Sequence, residues 1–257
     1  MAALALTATV SNIVGEEEKV PEYTFEDHFD GPVGSAPDPT KWMYEIGGGG
    51  HGNNELETYT DNHGTWGNSY LDGNSNLVIA ATYSDGVYYS AQLRTQGLFS
   101  QIGGHFEARI KLNPQAGVWP AFWLMGQNID TVNWPQCGEI DIMELFGASN
   151  TIQSTVHTPN GNTTYQRYGD IAIDTDWHTY RADVNGEGAA FFLDGYEFLH
   201  VPASFSPASA WVFGPEEPNN GGLFFLLNVA VGGSMPGNPD PTKFPATMLV
   251  DYVRAWA

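Results

Sequence analysis

From Tyr23 onward the apolar residues recur at every second position, the spacing of a strand with one buried and one wet face. Phe106, Ala108, Ile110 and Leu112, for example, alternate with Glu107, Arg109 and Lys111. Runs of the same kind surround Leu77 to Ala81, Thr179 to Val184, Ala190 to Leu193 and Leu249 to Trp256. The stretch Leu223 to Val231 is apolar on both parities, which predicts a central strand covered on both sides. No helical stripe exceeds two turns. Gly48 to Gly50, Asn160 to Asn162 and Asn219 to Gly222 have the residues of loops between strands. With no repeat of fixed period to indicate a propeller or solenoid, the pattern predicts an all-β fold: two antiparallel sheets packed as a jelly-roll sandwich.

A chain of 257 residues is long enough for one such domain with a large core, expected over residues 23–257. Residues 1–22 read as an N-terminal extension. Met1 to Ile13 are rich in Ala, Leu, Thr and Val without a basic start, like a truncated signal peptide, and Glu16 to Glu18 before Pro21 resemble a linker. The protein is expected to be secreted, and a monomer. No segment reaches the ~20 uninterrupted apolar residues of a membrane helix, so no membrane partner is expected. Cys137 is the single cysteine and has no intrachain partner.

Charge narrows the partners. Nine Lys and Arg stand against 30 Asp and Glu, a formal charge of -21 that repels nucleic acid, sulfated polymers and anionic headgroups. An uncharged glycan is the simplest remaining partner; the alternative is that acidity only keeps the surface soluble.

The candidate chemistry lies in Gly138 to Gly147, GEIDIMELFG, where three carboxylates interrupt an apolar strand-like run. Buried acids are costly unless they face an open cleft. Glu139 and Asp141 share a face, whereas Glu144, five residues after Glu139, points the other way on a regular strand. One extra residue near Ile142 or Met143, a bulge, re-phases it. On a flat strand the Cα atoms of Glu139 and Glu144 lie roughly 13 to 16 Å apart, so a concave sheet is also needed for the carboxyls to meet at the about 5 to 5.5 Å of retaining glycosidases. An acidic strand at a metal site, or one facing solvent, fits the same residues. Trp119 and Trp123 have equal parity and Trp134 lies five residues before Glu139, so three indoles gather where sugar rings would stack; singly, a Trp is more often core than platform. His157 and Arg94 are polar groups suited either to sugar hydroxyls or to a structural role.

With these residues in place the chain resembles glycoside hydrolase family 16, and within it the laminarinase-like endo-β-1,3-glucanases. The likeness covers most of residues 24–257. It runs through GNNELETYT at 52–60, LRTQGLFSQIGGHFEARIKL at 93–112, VWPAFWLMG, NWPQCGEIDIME, WHTYRADVN, FFLDG, FFLLNVAVGG and MLVDYVRAW. EIDIME, with its extra residue, is similar to the laminarinase rather than the lichenase branch. The resemblance implies a concave cleft for neutral β-glucan, with Glu139 as nucleophile, Asp141 as its assisting carboxylate and Glu144 as general acid/base. It also implies that Asn54, Arg94, Trp119, Trp123, Trp134 and His157 line glucose subsites, that catalysis needs no cofactor, and that a structural calcium binds on the convex side through Gly73 and Asp251, with Glu26 as a further ligand. The sequence departs from the pattern at Met235, where Trp is usual, at His28, where Glu is common, and in an expanded segment over 214–222. Two rival readings are a non-catalytic glucan-recognition protein, which typically loses the glutamates present here, and an enzyme for mixed-linkage glucan or galactan.

Overall fold

The computed structural model describes residues 21–257 except 66, 161–162 and 215–220. The signal-like segment and acidic run near the start lie outside the described residues, as do 161–162 of one expected loop and most of the 214–222 expansion.

Seventeen strands run through the described residues. The first eight are β1 (Tyr23–Asp27), β2 (Met43–Glu45), β3 (Glu57–Tyr59), β4 (Ser69–Leu71), β5 (Leu77–Ser84), β6 (Val87–Ser90), β7 (Gln92–Arg94) and β8 (Gly104–Leu112). Then follow β9 (Val118–Gly126), β10 (Glu139–Leu145), β11 (Thr151–Asn160), β12 (Thr163–Ala172), β13 (Trp177–Asn185), β14 (Gly188–Leu193), β15 (Tyr196–Pro202), β16 (Leu223–Val231) and β17 (Ala246–Trp256). The one α-helix among the described residues, α1, has four residues, Ile129–Val132. Each segment singled out by period two is a strand.

The strands form two sheets. The larger runs β15-β14-β13-β8-β17-β5-β6-β3, with β1 on β17 and β4 on β5; the smaller runs β12-β11-β10-β9-β16-β7-β2. The antiparallel expectation needs one correction, because β3 pairs with β6 in parallel, Glu57 opposite Tyr88. β3 has only three residues.

Phe225 stands at the centre of the core between the sheets. Its ring centroid lies 5.5 Å from that of Phe25, 5.6 Å from Phe106 and 5.8 Å from Phe122. All nine residues of β16 are buried, as doubly apolar parity requires. Its odd-numbered residues enter the sandwich core. On the other face Phe224 and Leu226 join Met125 and Cys137 in a second, smaller apolar cluster, against which Trp123 and Ile129 pack. That second cluster paves part of the face where the acids emerge.

Candidate active site

β10 carries the bulge that the spacing of its acids requires. Against β11, Asp141 pairs with Thr155 and Glu144 with Gln153, so three steps on one strand match two on the other. The ladder to β9 slips in the same interval, Asp141 opposite Trp123 and Glu144 opposite Ala121. Ile142 and Met143 are both buried in the core, so the additional residue is absorbed by the apolar interior and Glu144 is turned outward. Ser154 Oγ donates to the Ile142 carbonyl at 2.6 Å, satisfying a backbone group that the broken ladder would leave unpaired. Upstream, Gly138 adopts φ +76°, and a Cβ there would come within 2.5 Å of Phe213 and Val212; only glycine passes.

Registers place the outward side chains in rows across the smaller sheet. One row reads Thr155, Asp141, Trp123, Leu226, Arg94, Met43. The next reads Gln153, Glu144, Ala121, Asn228, Gln92, Glu45. Ala121, the smallest member, lies between the acid Glu144 and the amide Asn228 and leaves the floor of the row open.

The acids are wrapped but sparsely neutralised. Asp141 and Glu144 are buried, while Glu139 keeps 17% of its side chain exposed. His157 Nε2 lies 3.0 Å from Asp141 Oδ2 and 3.7 Å from Glu139 Oε1. Burial, and then the charges of Asp141 and Glu139, push Glu144 well above the usual carboxylate range, against a bond of 3.0 Å from Trp119 Nε1 to its Oε1. Glu139 is raised by burial and by Asp141, and lowered by His157 and by a hydrogen bond from Trp134. Burial disfavours a charged His157, but the bond to Asp141 and the charges of Asp141 and Glu139 outweigh it and carry the imidazole up to about 9. The result is an imidazolium set among acids, with the proton affinities of both Glu139 and Glu144 raised above the usual carboxylate range. Pairs of acids whose surroundings treat them differently are how one site supplies both a proton donor and an anion.

Residues 58–221 match the sequence profile of Glycosyl hydrolases family 16. The chain belongs to that family. Among relatives, a β-glucanase of Rhodothermus marinus is 36% identical over 91% of this chain and 85% of its own length. A glucan endo-1,3-β-glucosidase of Cryptopygus antarcticus is 33% identical over 90% of each chain. Among solved structures, the laminarinase of Flavobacterium sp. UMI-01 superposes with a TM-score of 0.79 at 32% identity, covering 92% of this chain and all of its own.

The remaining residues expected from the resemblance to family 16 are distributed unevenly. Trp134 is 44% exposed, its ring 6.0 Å from that of His157, so it overhangs the acid cluster. Trp119 and Trp123 flank Ala121 on the same face, and Trp123 Nε1 donates to Asn228 Oδ1 at 2.8 Å. Arg94 faces the same way but is bound to Glu45 at 2.7 Å. Asn54, exposed with φ 61°, lies in the turn before β3. Met235 is 54% exposed and follows Ser234, which donates from N and Oγ to Asn53 O at 2.9 and 3.0 Å, so it borders the Asn54 turn. Sequence reasoning missed Ala121, Asn228, Gln92 and Glu45, which only the registers bring into line; period two marks Asn228 as the lone polar residue of β16, and that was the available signal.

Two of the side chains that the resemblance implies for calcium have protein neighbours here. Asp251 Oδ2 is engaged by Arg109 Nη1 at 2.6 Å, so a guanidinium already balances it. Glu26 is half exposed, 3.7 Å from His28, and Gly73 turns against Val33. A hard cation needs six to eight oxygens. Among the described residues the one cluster of three or more ligating side chains is Glu139, Asp141 and His157, which belongs to the site already described.

Proposed function

We propose that residues 23–257 form a catalytic unit that cleaves β-1,3-glucan internally, with retention at the anomeric carbon, outside the cell. The observation that carries the reading is the bulged β10, which turns Glu144 to the same face as Glu139 and Asp141 beneath three indoles. The names of the relatives and structural neighbours above point to the same substrate. A neutral polymer also suits a net charge of -21.

In this reading Glu144, its proton affinity raised by burial and by the neighbouring acids, protonates the departing glycosidic oxygen. Glu139 attacks the anomeric carbon, forming a glycosyl ester as the old C–O bond breaks. The Glu144 carboxylate then takes a proton from water, whose oxygen displaces Glu139 and restores the original configuration. Asp141 and the His157 imidazolium hold the charge around Glu139 as it passes from anion to ester and back. Trp119 steadies Glu144 through its N–H, while the Trp123 and Trp134 rings offer stacking faces to sugars.

The test is a comparison of polymers. Laminarin should yield short oligosaccharides early and faster than lichenan, while agarose and carrageenan stay intact. Faster release from a sulfated galactan than from laminarin would overturn the assignment.

A further inference from the structure

The strand that ends the smaller sheet beyond the acids, β12, extends the cleft past the residues described above. Its ladder to β11 runs without a slip from Thr151 opposite Ala172 to Asn160 opposite Thr163, so the face of each side chain follows from its partner. On β11 Ile152 and Val156 enter the core, while His157 stands beside Asp141. On β12 Ile171 packs against the core, and a Cβ on Gly169 would come within 3.0 Å of Leu199, so these two face inward. Tyr168 and Asp170 have the other parity and face outward with the acids.

Tyr168 pairs with Thr155, Thr155 with Asp141, and Asp141 with Trp123. The row of Asp141 thus continues to the sheet edge, with Tyr168 about 10 Å beyond the acid and Trp123 about 5 Å on its other side. Height changes along the row. Thr155 is wholly buried, its Oγ1 accepting from Gln153 Nε2 at 3.0 Å, and forms a low floor. Tyr168 is 58% exposed, and among the described residues no ring and no side-chain hydrogen bond engages it. Gln166 and Asp170, on the same side of β12, are also exposed, and Trp134, 6.0 Å from the His157 ring, overhangs this side of the acids. An unengaged ring at a step in the floor, with an amide and a carboxylate beside it, offers a face to sugar C–H groups and partners to sugar hydroxyls.

We propose that Tyr168 is a specificity-determining residue, a platform for the departing part of the glucan on the opposite side of the acids from Trp123. The proposal rests on the reading of the site as a retaining β-glucanase. The side follows from the two unequal arms of the sheet: β9, β16, β7 and β2 lie on one flank of β10, and only β11 and β12 on the other. In double displacement the sugar esterified to Glu139 stays while the other part leaves. The longer arm, with Trp123, Asn228 and Arg94, suits the part retained. A strong grip on the departing part would slow its release, so the short arm with one exposed ring suits that part. Hold on both sides of the scissile bond also favours cleavage within the polymer.

The experiment compares the wild type, Tyr168→Ala and Tyr168→Phe on laminarin and on an aryl β-laminaribioside, with the melting temperature reporting the fold. The single aryl leaving group lies beside the scissile bond and does not span the two strands to Tyr168. Tyr168→Ala should raise the KM for laminarin about three- to tenfold, the loss of one ring contact, with kcat/KM on the aryl substrate within about twofold. Tyr168→Phe should keep the laminarin KM within about twofold of wild type, because the ring face remains. An unchanged KM in Tyr168→Ala overturns the platform. Equal losses on both substrates overturn its place on the departing side, and Tyr168→Phe as impaired as Tyr168→Ala overturns stacking. A wild type inert on both substrates would sink the functional reading, and the platform with it; an active wild type matched by Tyr168→Ala leaves that reading standing and removes Tyr168 alone.

Discussion

The outward faces of the two sheets treat their acids in opposite ways. On or beside the larger sheet four carboxylates are matched by cations: Glu107 by Arg254, Asp251 by Arg109, Asp183 by Arg181 and Asp176 by Lys111. Aromatic rings complete the pairing, with Arg254 over Tyr23, Tyr252 and Trp256 and Arg109 over Trp177. On the smaller sheet Arg94 is spent on Glu45, and the acids of β10 are left with one imidazole and two indoles. In a chain with nine Lys and Arg, the placing of cations separates surface that holds the fold together from surface that can react. Neutralised acids give stability; acids kept short of cations keep raised affinities for protons, which catalysis uses.

The comparison breaks most decisively if removing an acid on the smaller sheet leaves activity intact. Glu139→Ala should lose at least about 10⁴-fold in kcat on laminarin, since no glycosyl ester can form. Glu144→Ala should lose about 10² to 10⁴-fold on laminarin yet keep much of the first step on an aryl glucoside, whose leaving group departs unaided. Azide identifies the roles by product: the β-azide from the Glu144 variant, after two inversions, and the α-azide from the Glu139 variant, after one. Products of the opposite configuration would exchange the roles.

On the larger sheet the expected effect is on stability alone. Arg254→Leu leaves Glu107, whose side chain is 6% exposed, without its cation, and should cost about 3 kcal/mol in urea unfolding with kcat unchanged. A fall in kcat at equal folded fraction would blur the distinction between the faces.

The pH dependence of stability sharpens it further. Glu139, Glu144 and Glu55 have raised proton affinities in the fold, so the folded state binds more protons than the unfolded chain from about pH 4.5 upward. His157, raised to about 9, contributes stability that is complete below its unfolded value and lost as pH rises through 9. All four act with the same sign, so the melting temperature should fall steadily between about pH 5 and pH 9. Glu55→Gln should flatten the part of that slope below about 8. A melting temperature that rises over this interval would contradict the account.

The smallest effect concerns metal. Because Arg109 already engages Asp251, saturating calcium and a chelator should give melting temperatures within about 1 °C of each other, where a bound structural ion would separate them by linkage. A clear upward shift with calcium would show that a cation displaces the guanidinium.

Much of this was legible beforehand because alternation is local. The strands of β8, β13, β16 and β17 follow from parity alone, and so does the bulge in β10, since three acids could not otherwise share a face. The rows were not legible, because register between strands distant in sequence, such as Glu144 opposite Ala121 and Ala121 opposite Asn228, depends on long-range packing. Roles for the two glutamates came from family likeness. In GNNELETYT the likeness singles out Asn54 alone, and the burial of Glu57 has no signature in a run so polar. The implied calcium ligands make the converse point, because likeness names Asp251 but not the Arg109 that bonds it.

The bulge at Ile142 and Met143 has a consequence for how such a site can change. Deleting either residue would not adjust the reaction by degrees. It would turn Glu144 into the core and bring Leu145 out, exchanging a proton donor for a hydrocarbon in a single step, and Ser154 would lose the carbonyl it serves. The site is therefore digital at this point: lineages and engineers can vary the aromatic walls gradually, but the strand that bears the acids must be inherited or redesigned with its residue count and both neighbouring ladders together.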